Sequence, residues 1–205
     1  MHQVTDPAIL YFGTPVVLVS TLNPDGTPNL APMSSAWWLG HRAMLGLASN
    51  SRTTTNLRRD GECVLNLPNA GMAGHVDRIA KTTGSNPVPE TKRARGYRYV
   101  RDKFACAGLT GIPSDTVAPP RVAECPVQLE ARLVRTHDFA GSACAFEVEV
   151  ERIHADEQIL AGPDRIDPDA WRPLIMSFQR FYGLADDQAA SSRLAEIPEE
   201  LYRTR

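Results

Sequence analysis

The sequence predicts a mainly β protein with helical insertions, in which antiparallel strands close into a barrel. Runs rich in Val and Leu, separated by turn residues, fill the first third of the chain. Residues 126–136 and 144–154 alternate apolar and polar side chains, a period typical of strands that bury one face. These strands do not alternate regularly with helices, which argues against a doubly wound sheet. The length of 205 residues suits one domain spanning 1–205.

The first strands are predicted from turn residues and proline positions. Residues 11–22 form one strand, and Pro24-Asp25-Gly26 forms a turn because Pro presets φ and Gly accepts a positive φ. Residues 29–38 form the partner strand of this hairpin. Pro28 and Pro32 cannot donate ladder hydrogen bonds, so the partner strand is interrupted or lies at an edge. Residues 43–49 form a third strand.

A short helix follows the third strand. Ser49, Asn50 and Ser51 are candidate N-caps, and Gly61 ends the helix predicted over 52–60. A strand over 62–67, a loop over 69–74 and a short helix over 76–81 come next. Residues 85–101 carry two prolines and five basic side chains, which predicts an excursion over the surface. That excursion is either a solvated basic loop or a site for phosphate-bearing ligands.

The last third returns to strands and then loses its regular pattern. Strands are predicted over 126–136 and 144–154, and residues 169–205 form a helical or irregular C-terminal segment. Trp171, Phe178 and Phe181, with Tyr182 beside them, belong either to the core or to a subunit interface. The core is favoured, because large aromatic side chains are mostly inside.

Composition and charge exclude several classes of protein. With 22 Lys plus Arg and 24 Asp plus Glu, the formal charge is −2, so the basic footprint of a nucleic-acid binder is missing. No apolar run reaches the ~20 residues of a membrane helix, and the first residues lack the basic start and apolar core of a signal peptide. The four cysteines show no C-x-x-C spacing, which predicts no metal site and no disulfides and favours a reducing, cytoplasmic location.

Familiar catalytic motifs are missing from the sequence. It contains no G-x-G-x-x-G, no G-x-x-x-x-G-K-[ST] and no G-x-S-x-G, so a Rossmann site, a P-loop and a hydrolase are not supported. Cys106 lies between two alanines, Cys63 precedes the apolar pair Val64-Leu65, and neither has a nearby His, so both are predicted to be buried structural thiols. No catalytic side chain is therefore predicted.

Hydroxyl and amide side chains cluster at two neighbouring strand ends. Ser34 and Ser35 precede two tryptophans, and residues 49–56 end the third strand and begin the helix. The N–H groups at a helix start favour an anion, and an Arg there adds a bidentate fork. An apolar wall with a few polar groups suits a flat aromatic ligand, so both clusters together fit a phosphorylated aromatic cofactor. The alternative is that the Ser/Thr run only caps the helix, and spacing by itself favours the cap.

Several segments carry a family resemblance in their order and spacing. They are Asn-Pro-Asp-Gly at 23–26, Asn-Leu-Ala-Pro-Met-Ser-Ser at 29–35, Ser-Arg-Thr at 51–53, Gly-Glu-Cys-Val-Leu-Asn-Leu at 61–67, Lys-Phe at 103–104 and Glu-Cys-Pro-Val-Gln-Leu-Glu at 124–130. In this order they resemble the flavin reductase-like, FMN-binding split-barrel family, over about residues 11–183. The resemblance implies a six-stranded antiparallel split barrel, a homodimer, and FMN bound noncovalently near the subunit interface.

The resemblance also implies which residues contact the cofactor. By position, the resemblance assigns residues to three parts of FMN: the edge of the ring, the ring or ribityl chain, and the phosphate. These are Ser34, Ser35 and Ala36 for the edge, Ser49 and Asn50 for the ring or ribityl chain, and Ser51, Arg52 and Thr53 for the phosphate. Met33 and Asn56 complete the expected cofactor-binding set.

The implied activity is that of an FMN-dependent oxidoreductase of flavin reductase type. It passes electrons from NADH or NADPH through FMN to a flavin, a metal complex or an organic acceptor, and a partner monooxygenase is a further expectation. The flavin itself carries the electrons, which accounts for the missing catalytic side chains. The alternatives are an electron carrier without direct nicotinamide use, a flavin-binding protein without turnover, and a split barrel that binds another ligand.

Overall fold

Strands make up most of the regular structure in the computed structural model, which describes residues 1–139 and 141–185. The strands are β1 (Phe12–Pro15), β2 (Val17–Leu22), β3 (Pro28–Met33), β4 (Ala36–Leu39), β5 (Arg42–Ala48), β6 (Glu62–Leu67), β7 (Thr82–Thr83), β8 (Arg98–Tyr99), β9 (Gly111–Ile112), β10 (Arg121–Val122), β11 (Val127–Asp138), β12 (Ala143–Ala155), β13 (Leu160–Gly162), β14 (Arg165–Ile166), β15 (Ile175–Ser177) and β16 (Arg180–Tyr182). The helices are α1 (Arg52–Asp60), α2 (Ala73–Ala80), α3 (Glu90–Arg93) and α4 (Lys103–Ala107), with 3₁₀ turns at Ala70–Met72 and Glu157–Ile159. The predicted mainly β fold with helical insertions is confirmed. None of the helices in the described residues has the length and apolar surface required to cross a bilayer.

A seven-stranded antiparallel sheet forms the barrel, in the order β3-β2-β6-β11-β12-β5-β4. Its two edge strands, β3 and β4, follow each other in the chain but do not pair with each other. The barrel is therefore split at this point, which confirms the split barrel that the resemblance implies and corrects the closed barrel that the strand pattern by itself predicts. The break occurs at Ser34 and Ser35, where the predicted strand 29–38 divides in two, so the sheet has seven strands rather than the six that the resemblance implies.

Strand β2 packs on both of its faces. Val17 and Val19 belong to the core inside the barrel, whereas Leu18 belongs to a second core outside it. This alternation is the period-2 geometry of a strand. Helices α2 and α4 cover the outer core, to which they contribute Val76, Ile79, Phe104 and Ala107. Packing thereby holds both helices next to β3.

Helix α1 begins and ends where the sequence predicts. The Ser51 side chain accepts a hydrogen bond from the N–H of Thr54, and Gly61 adopts a left-handed φ of 70° that ends the helix. Strand β6 follows over the predicted residues. Helix α2 begins at Ala73 rather than at 76, because the preceding 3₁₀ turn leads directly into it, so the predicted loop over 69–74 is too long.

The C-terminal segment departs from the prediction. Its described part forms the hairpin β15–β16 instead of helical or irregular structure, and β15 pairs with β1. The predicted strand over 11–22 is accordingly divided at Val16, whose N–H donates to the carbonyl of Leu174 at 2.8 Å, and its two halves enter different sheets. Residues 186–205 of the predicted segment lie outside the described residues.

The aromatic side chains of this region do not form one buried group. Phe178 is 41% exposed and contacts Phe12 edge-on, with 4.9 Å between the ring centroids. Tyr182 is exposed as well. Trp171 and Phe181 are half-buried against the inner and outer cores, respectively. The core prediction is therefore wrong for Phe178, because the turn that carries it projects into solvent.

Residues 85–101 leave the barrel, as predicted, and return to it through backbone hydrogen bonds. We call these residues the basic segment. Strand β8 runs parallel to β7, with Arg98 N–H donating to Lys81 O at 3.1 Å and Val100 N–H donating to Thr83 O at 3.0 Å. Helix α3 lies between the start of the segment and β8. The pairing holds the segment against the barrel at the place where β7 ends.

The four cysteines are free, and their environments differ. Cys63 is fully buried, as predicted for a structural thiol, and burial raises its pKa to about 12. Cys106 is only half-buried, because it lies on α4 beside the basic segment, where an Arg98 nitrogen donates to its sulfur at 3.7 Å. The prediction of a buried thiol is therefore wrong for Cys106.

Candidate functional site

A cavity of about 430 Å³ opens at the split of the barrel. It lies between β3 and β5, the start of α1, helix α2, the basic segment and the C-terminal hairpin. Its volume falls within the usual range for small-molecule sites, ~300–1,000 Å³. The wall combines residues as far apart in the chain as Tyr11 and Phe181, so no single sequence motif describes it.

One part of the wall is apolar with two serines beside it. Its larger apolar members include Met33, Leu47, Val76, Met176 and Phe181. Ser34 and Ser35 reach the cavity because they form the short irregular stretch between the end of β3 and the start of β4. Gly46 allows the close approach: its N–H donates to Ser35 O at 2.7 Å, and a Cβ at this position would lie 2.9 Å from the Ser35 Cβ. Such a surface suits a flat aromatic ring system with polar groups at its edge.

The first turn of α1 supplies hydrogen-bond donors. The Ser51 Oγ accepts from the N–H of Thr54 at 3.0 Å, so Ser51 is an N-cap, as one of the two sequence interpretations requires. Ser51 also lines the cavity, together with Arg52 and Thr53. The first N–H groups of a helix have no acceptor within the helix and form the positive end of its dipole. The start of α1 is therefore both capped and suited to an anion.

Thr53 is held in place by a buried amide. It is 2% exposed, and its Oγ1 accepts from Asn29 Nδ2 at 3.2 Å. The Oδ1 of Asn29 is buried and has no hydrogen-bond partner among the described residues. Gly84 packs against this oxygen so closely that a Cβ there would lie 2.9 Å from it and 3.0 Å from Arg52 Cγ. This part of the wall is thus polar and tightly packed.

Three cationic side chains from three helices line the cavity beside Thr53. They are Arg52 of α1, Lys92 of α3 and Lys103 of α4, which we call the cationic corner. The Nε of Arg52 donates to Gly84 O at 3.0 Å, which orients its guanidinium group. Among the described residues that line the cavity, none is Asp or Glu. The cationic corner therefore has no counter-charge in the wall itself.

Lys103 is the most buried of these cations, at 4% exposed. Burial foremost, and then repulsion from Lys92 and Arg52, lowers the pKa of Lys103 to about 8. Burial also lowers the pKa of Lys92. Burying a cation without a counter-charge costs free energy, and an anion entering the cavity would offset this cost. The corner therefore indicates an anion site.

The structure brings six of the ten sequence-predicted cofactor residues to the cavity: Met33, Ser34, Ser35, Ser51, Arg52 and Thr53. The other four do not line it. Ala36 packs in the inner core, Asn50 is exposed, and the N–H of Ser49 donates to Ser142 O at 2.9 Å. Asn56 is fully buried, and its Nδ2 donates to Thr21 Oγ1 at 3.1 Å. These four residues lie outside the cavity wall, and their contact with a cofactor stays a prediction.

Sequence reasoning does not place Lys92, Tyr97, Lys103, Met176 or Phe181 in the site, although all five line the cavity. Two signals pointed toward the lysines: the basic residues of 85–101, and the Lys-Phe pair at 103–104 within the resemblance. The number of basic residues in 85–101 does not indicate which of their side chains line the cavity. Arg93 pairs with Glu90 and Arg101 with Asp25 on the exposed surface, so the solvated-loop interpretation holds for these two.

A second polar cluster, Asp115, Glu130 and His154, lies outside the cavity wall. The buried Glu130 carboxylate accepts from the N–H of Asp115 at 2.9 Å and of Thr116 at 2.6 Å, and His154 Nε2 lies 2.7 Å away. Burial raises the pKa of Glu130, but these hydrogen bonds outweigh burial and lower it to about 2. Because the carboxylate is already satisfied, the cluster fastens a loop to β11 and β12.

Comparison with known proteins identifies the family. Residues 9–185 match the flavin reductase like domain. The chain belongs to the flavin reductase-like family. It is 39% identical over 189 residues to the uncharacterized protein YdfE of Bacillus subtilis (strain 168), an alignment that covers 91% of each chain. The family that the sequence resembles is thereby confirmed.

Solved structures share the flavin reductase-like fold. The flavoredoxin of Desulfovibrio vulgaris (Miyazaki F) aligns with a TM-score of 0.78 at 22% identity, over 93% of this chain and 97% of its own. Nitrilotriacetate monooxygenase component B from Bacillus cereus aligns with a TM-score of 0.69 at 20% identity, over 87% of this chain and 88% of its own. At these identities the likeness establishes the architecture.

The flavin reductase-like family implies a flavin cofactor, and the cavity fits a flavin that carries a phosphate. The cationic corner offers positive charge without a carboxylate in the wall, including the buried Lys103. The apolar part offers a surface for a flat ring, with Ser34 and Ser35 as polar groups beside it. Both parts belong to the same cavity, so one molecule can occupy them together.

Proposed function

We propose that the protein is an FMN-dependent NAD(P)H oxidoreductase of flavin reductase type. It passes electrons from NADH or NADPH through bound FMN to a flavin, a metal complex or an organic acceptor. The observation that carries this proposal is that the cationic corner and the apolar wall beside Ser34 and Ser35 belong to one cavity. FMN combines a terminal phosphate with a flat tricyclic ring, so its two halves match the two parts of the wall.

The cationic corner and the first turn of α1 hold the phosphate in this proposal. Arg52 contributes a guanidinium fork, and the N–H groups at the start of α1 contribute neutral donors with the helix dipole behind them. Thr53 adds a hydroxyl that Asn29 keeps in position. Lys103 adds a positive charge that acts strongly because burial shields it from water. The phosphate fixes one end of the cofactor and thereby the position of its ring.

The apolar wall and the two serines position the ring. Ser34 and Ser35 offer hydroxyl and backbone groups to its polar edge, while Met33, Met176 and Phe181 exclude water from its face. When bound, the flavin supplies the chemistry itself by accepting a hydride and passing electrons on. The residues of the wall bind, orient and desolvate, and a catalytic acid or base is not required of them.

The proposal extends to assembly and location. Exposed Phe12 of β1 and exposed Trp37 and Leu39 of the neighbouring β4 support a homodimer, because large apolar side chains grouped at the surface are typical of contact sites. The likeness to a monooxygenase component B supports a partner monooxygenase. Four free cysteines support a reducing, cytoplasmic location. We also propose that residues 1–205 form one domain.

A second candidate function is an electron-carrier flavoprotein that does not take electrons from nicotinamides directly. The fold likeness to a flavoredoxin favours it. The carrier uses the same cavity and the same cofactor, so the two candidates differ only in the electron donor.

Anaerobic reduction of the FMN-loaded protein tests both candidates. Bleaching of the flavin absorption bands by NADH or NADPH, with turnover when an acceptor is added, supports the reductase. A flavin that dithionite reduces but neither nicotinamide reduces supports the carrier. Colourless protein that does not take up FMN at micromolar concentration refutes both.

A further inference from the structure

The basic segment places two side chains, Lys92 and Tyr97, in the cavity wall. The Lys92 ammonium lies 5.9 Å from the centroid of the Tyr97 ring, over its face. The N–H of Tyr97 donates to Lys92 O at 3.1 Å, so one closed turn carries both residues. Pairing of β8 with β7 anchors this turn next to Thr82 and Thr83, which also line the cavity. Lys92 and Tyr97 therefore act as a unit within the cationic corner.

The charge of this corner distinguishes two kinds of phosphate. A terminal phosphate monoester carries about −1.5 to −2 near neutral pH, whereas each phosphate within a pyrophosphate linkage carries about −1. Arg52, Lys92 and Lys103 gather three positive charges, and none of the described wall residues is Asp or Glu. Coulomb attraction to one compact group of cations therefore favours the doubly charged monoester.

The side chains of the corner are already engaged with the backbone or with one another. A flavin dinucleotide continues past its first phosphate with a second phosphate and a nucleoside, so the wall must leave an exit there. Arg52 Nε donates to Gly84 O, and the Lys92 ammonium lies over the Tyr97 ring. The buried Lys103 completes this part of the wall. A cofactor that ends at the phosphate avoids displacing any of them.

We propose that Lys92 and Tyr97 determine the cofactor specificity of this cavity, by selecting flavins that end in a phosphate monoester over flavin dinucleotides. Lys92 binds the doubly charged terminal phosphate. Tyr97 keeps Lys92 in position and blocks the path of a longer molecule. The inference rests on the proposed function, because it concerns the cofactor of the same cavity.

Dissociation constants for riboflavin, FMN and FAD, measured by quenching of flavin fluorescence after removal of any bound flavin, test this inference. The proteins compared are the wild type, Lys92→Gln, Tyr97→Ala and the control Arg95→Gln. Arg95 is an exposed cation of the same segment that does not line the cavity. We expect the wild type to bind FMN at least about tenfold more tightly than FAD, the scale of one charged hydrogen bond.

The variants are expected to change the ratio of the two affinities in defined ways. Lys92→Gln weakens the affinity for FMN about tenfold and changes the affinities for riboflavin and FAD by less than about threefold. Tyr97→Ala strengthens the affinity for FAD relative to that for FMN, and Arg95→Gln leaves the ratio of the FMN and FAD affinities unchanged. Riboflavin lacks a phosphate, so its binding reports whether each variant is folded. Lys92→Met replaces Lys92→Gln if the latter does not bind riboflavin.

Two results overturn the inference and leave the proposed function intact. One is equal affinity of the wild type for FMN and FAD, and the other is an equal loss of both in the Lys92 variant. Failure of the wild type to bind any of the three flavins overturns the proposed function, and the inference with it.

Discussion

Lys103→Met is expected to stabilise the flavin-free protein while weakening phosphate binding. Lys103 is 4% exposed, and burial foremost, followed by repulsion from Lys92, lowers its pKa from 10.5 to about 8. A tenfold change in proton affinity is worth ~1.4 kcal/mol, so a charged Lys103 costs the folded state about 3 kcal/mol. Methionine fills similar space without the charge. At about pH 7 we expect the free energy of unfolding to rise by about 1 to 3 kcal/mol.

Urea unfolding of the flavin-free proteins at two pH values measures this effect. Below pH 8, Lys103 of the folded wild type is protonated and the full cost is present; between about pH 8 and 10.5 the folded state loses this proton first, so the cost shrinks. The advantage of the variant is therefore largest near pH 7 and smaller near about pH 10. Lys81→Met, at an exposed lysine outside the cavity wall, is the matched control. A variant no more stable than the wild type at pH 7, or an advantage that does not change with pH, refutes the reasoning.

Three further predictions concern the corner and the Glu130 cluster. The double variant Arg52→Ala, Thr53→Ala loses at least about tenfold in FMN affinity by fluorescence titration, with the exposed Thr55→Ala as control; unchanged affinity would place the phosphate elsewhere. Gly84→Ala lowers the melting temperature and the FMN affinity, because its Cβ would lie 2.9 Å from Asn29 Oδ1, whereas Gly74→Ala meets nothing within 4 Å; equal melting temperatures contradict this. The lowered pKa of Glu130 stabilises the fold fully above about pH 4.5, and this contribution is lost as the pH falls toward 2. Acid unfolding of the wild type is therefore steeper than that of Glu130→Gln, and equal steepness would argue against the hydrogen-bonded carboxylate.

Features set by neighbouring residues were predictable from the sequence. The bounds of α1 follow from Ser51, whose side chain caps the first turn, and from Gly61, which accepts a left-handed φ. The turn at 24–26 follows from its Pro and Gly in the same way. In each case the physical cause lies within a few residues, so the local pattern contains it.

The C-terminal hairpin was not predictable by the same means. Its turn places Phe178 at φ 43° and Gln179 at φ 67°, where Gly or Asn is the usual signal. The hairpin is stabilised by pairing with β1, more than 150 residues earlier in the chain. A partner at that distance leaves no trace in the local pattern, which therefore suggested helical or irregular structure.

The candidate site was predicted in part for a related reason. Ser34, Ser35 and the start of α1 lie at strand ends that are close in sequence, so their proximity follows from the order of elements. Lys92 enters the wall because the pairing of β8 with β7 holds the basic segment against the barrel, and Lys103 enters it because α4 packs beside β3. The sequence contains the charges, and tertiary packing selects which of them face the cavity.

The cavity wall joins the two ends of the described chain. Tyr11 stands just before β1, and Met176 and Phe181 stand on the hairpin that pairs with it, while the opposite wall belongs to the barrel. A molecule that fills the space between the hairpin and the barrel stabilises the folded chain, since it binds only when both parts of the wall are in place. By mass action, a ligand at a hundred times its dissociation constant adds about 2.7 kcal/mol to stability. Resistance of this protein to heat and to proteases should therefore follow the cellular supply of whatever occupies the cavity.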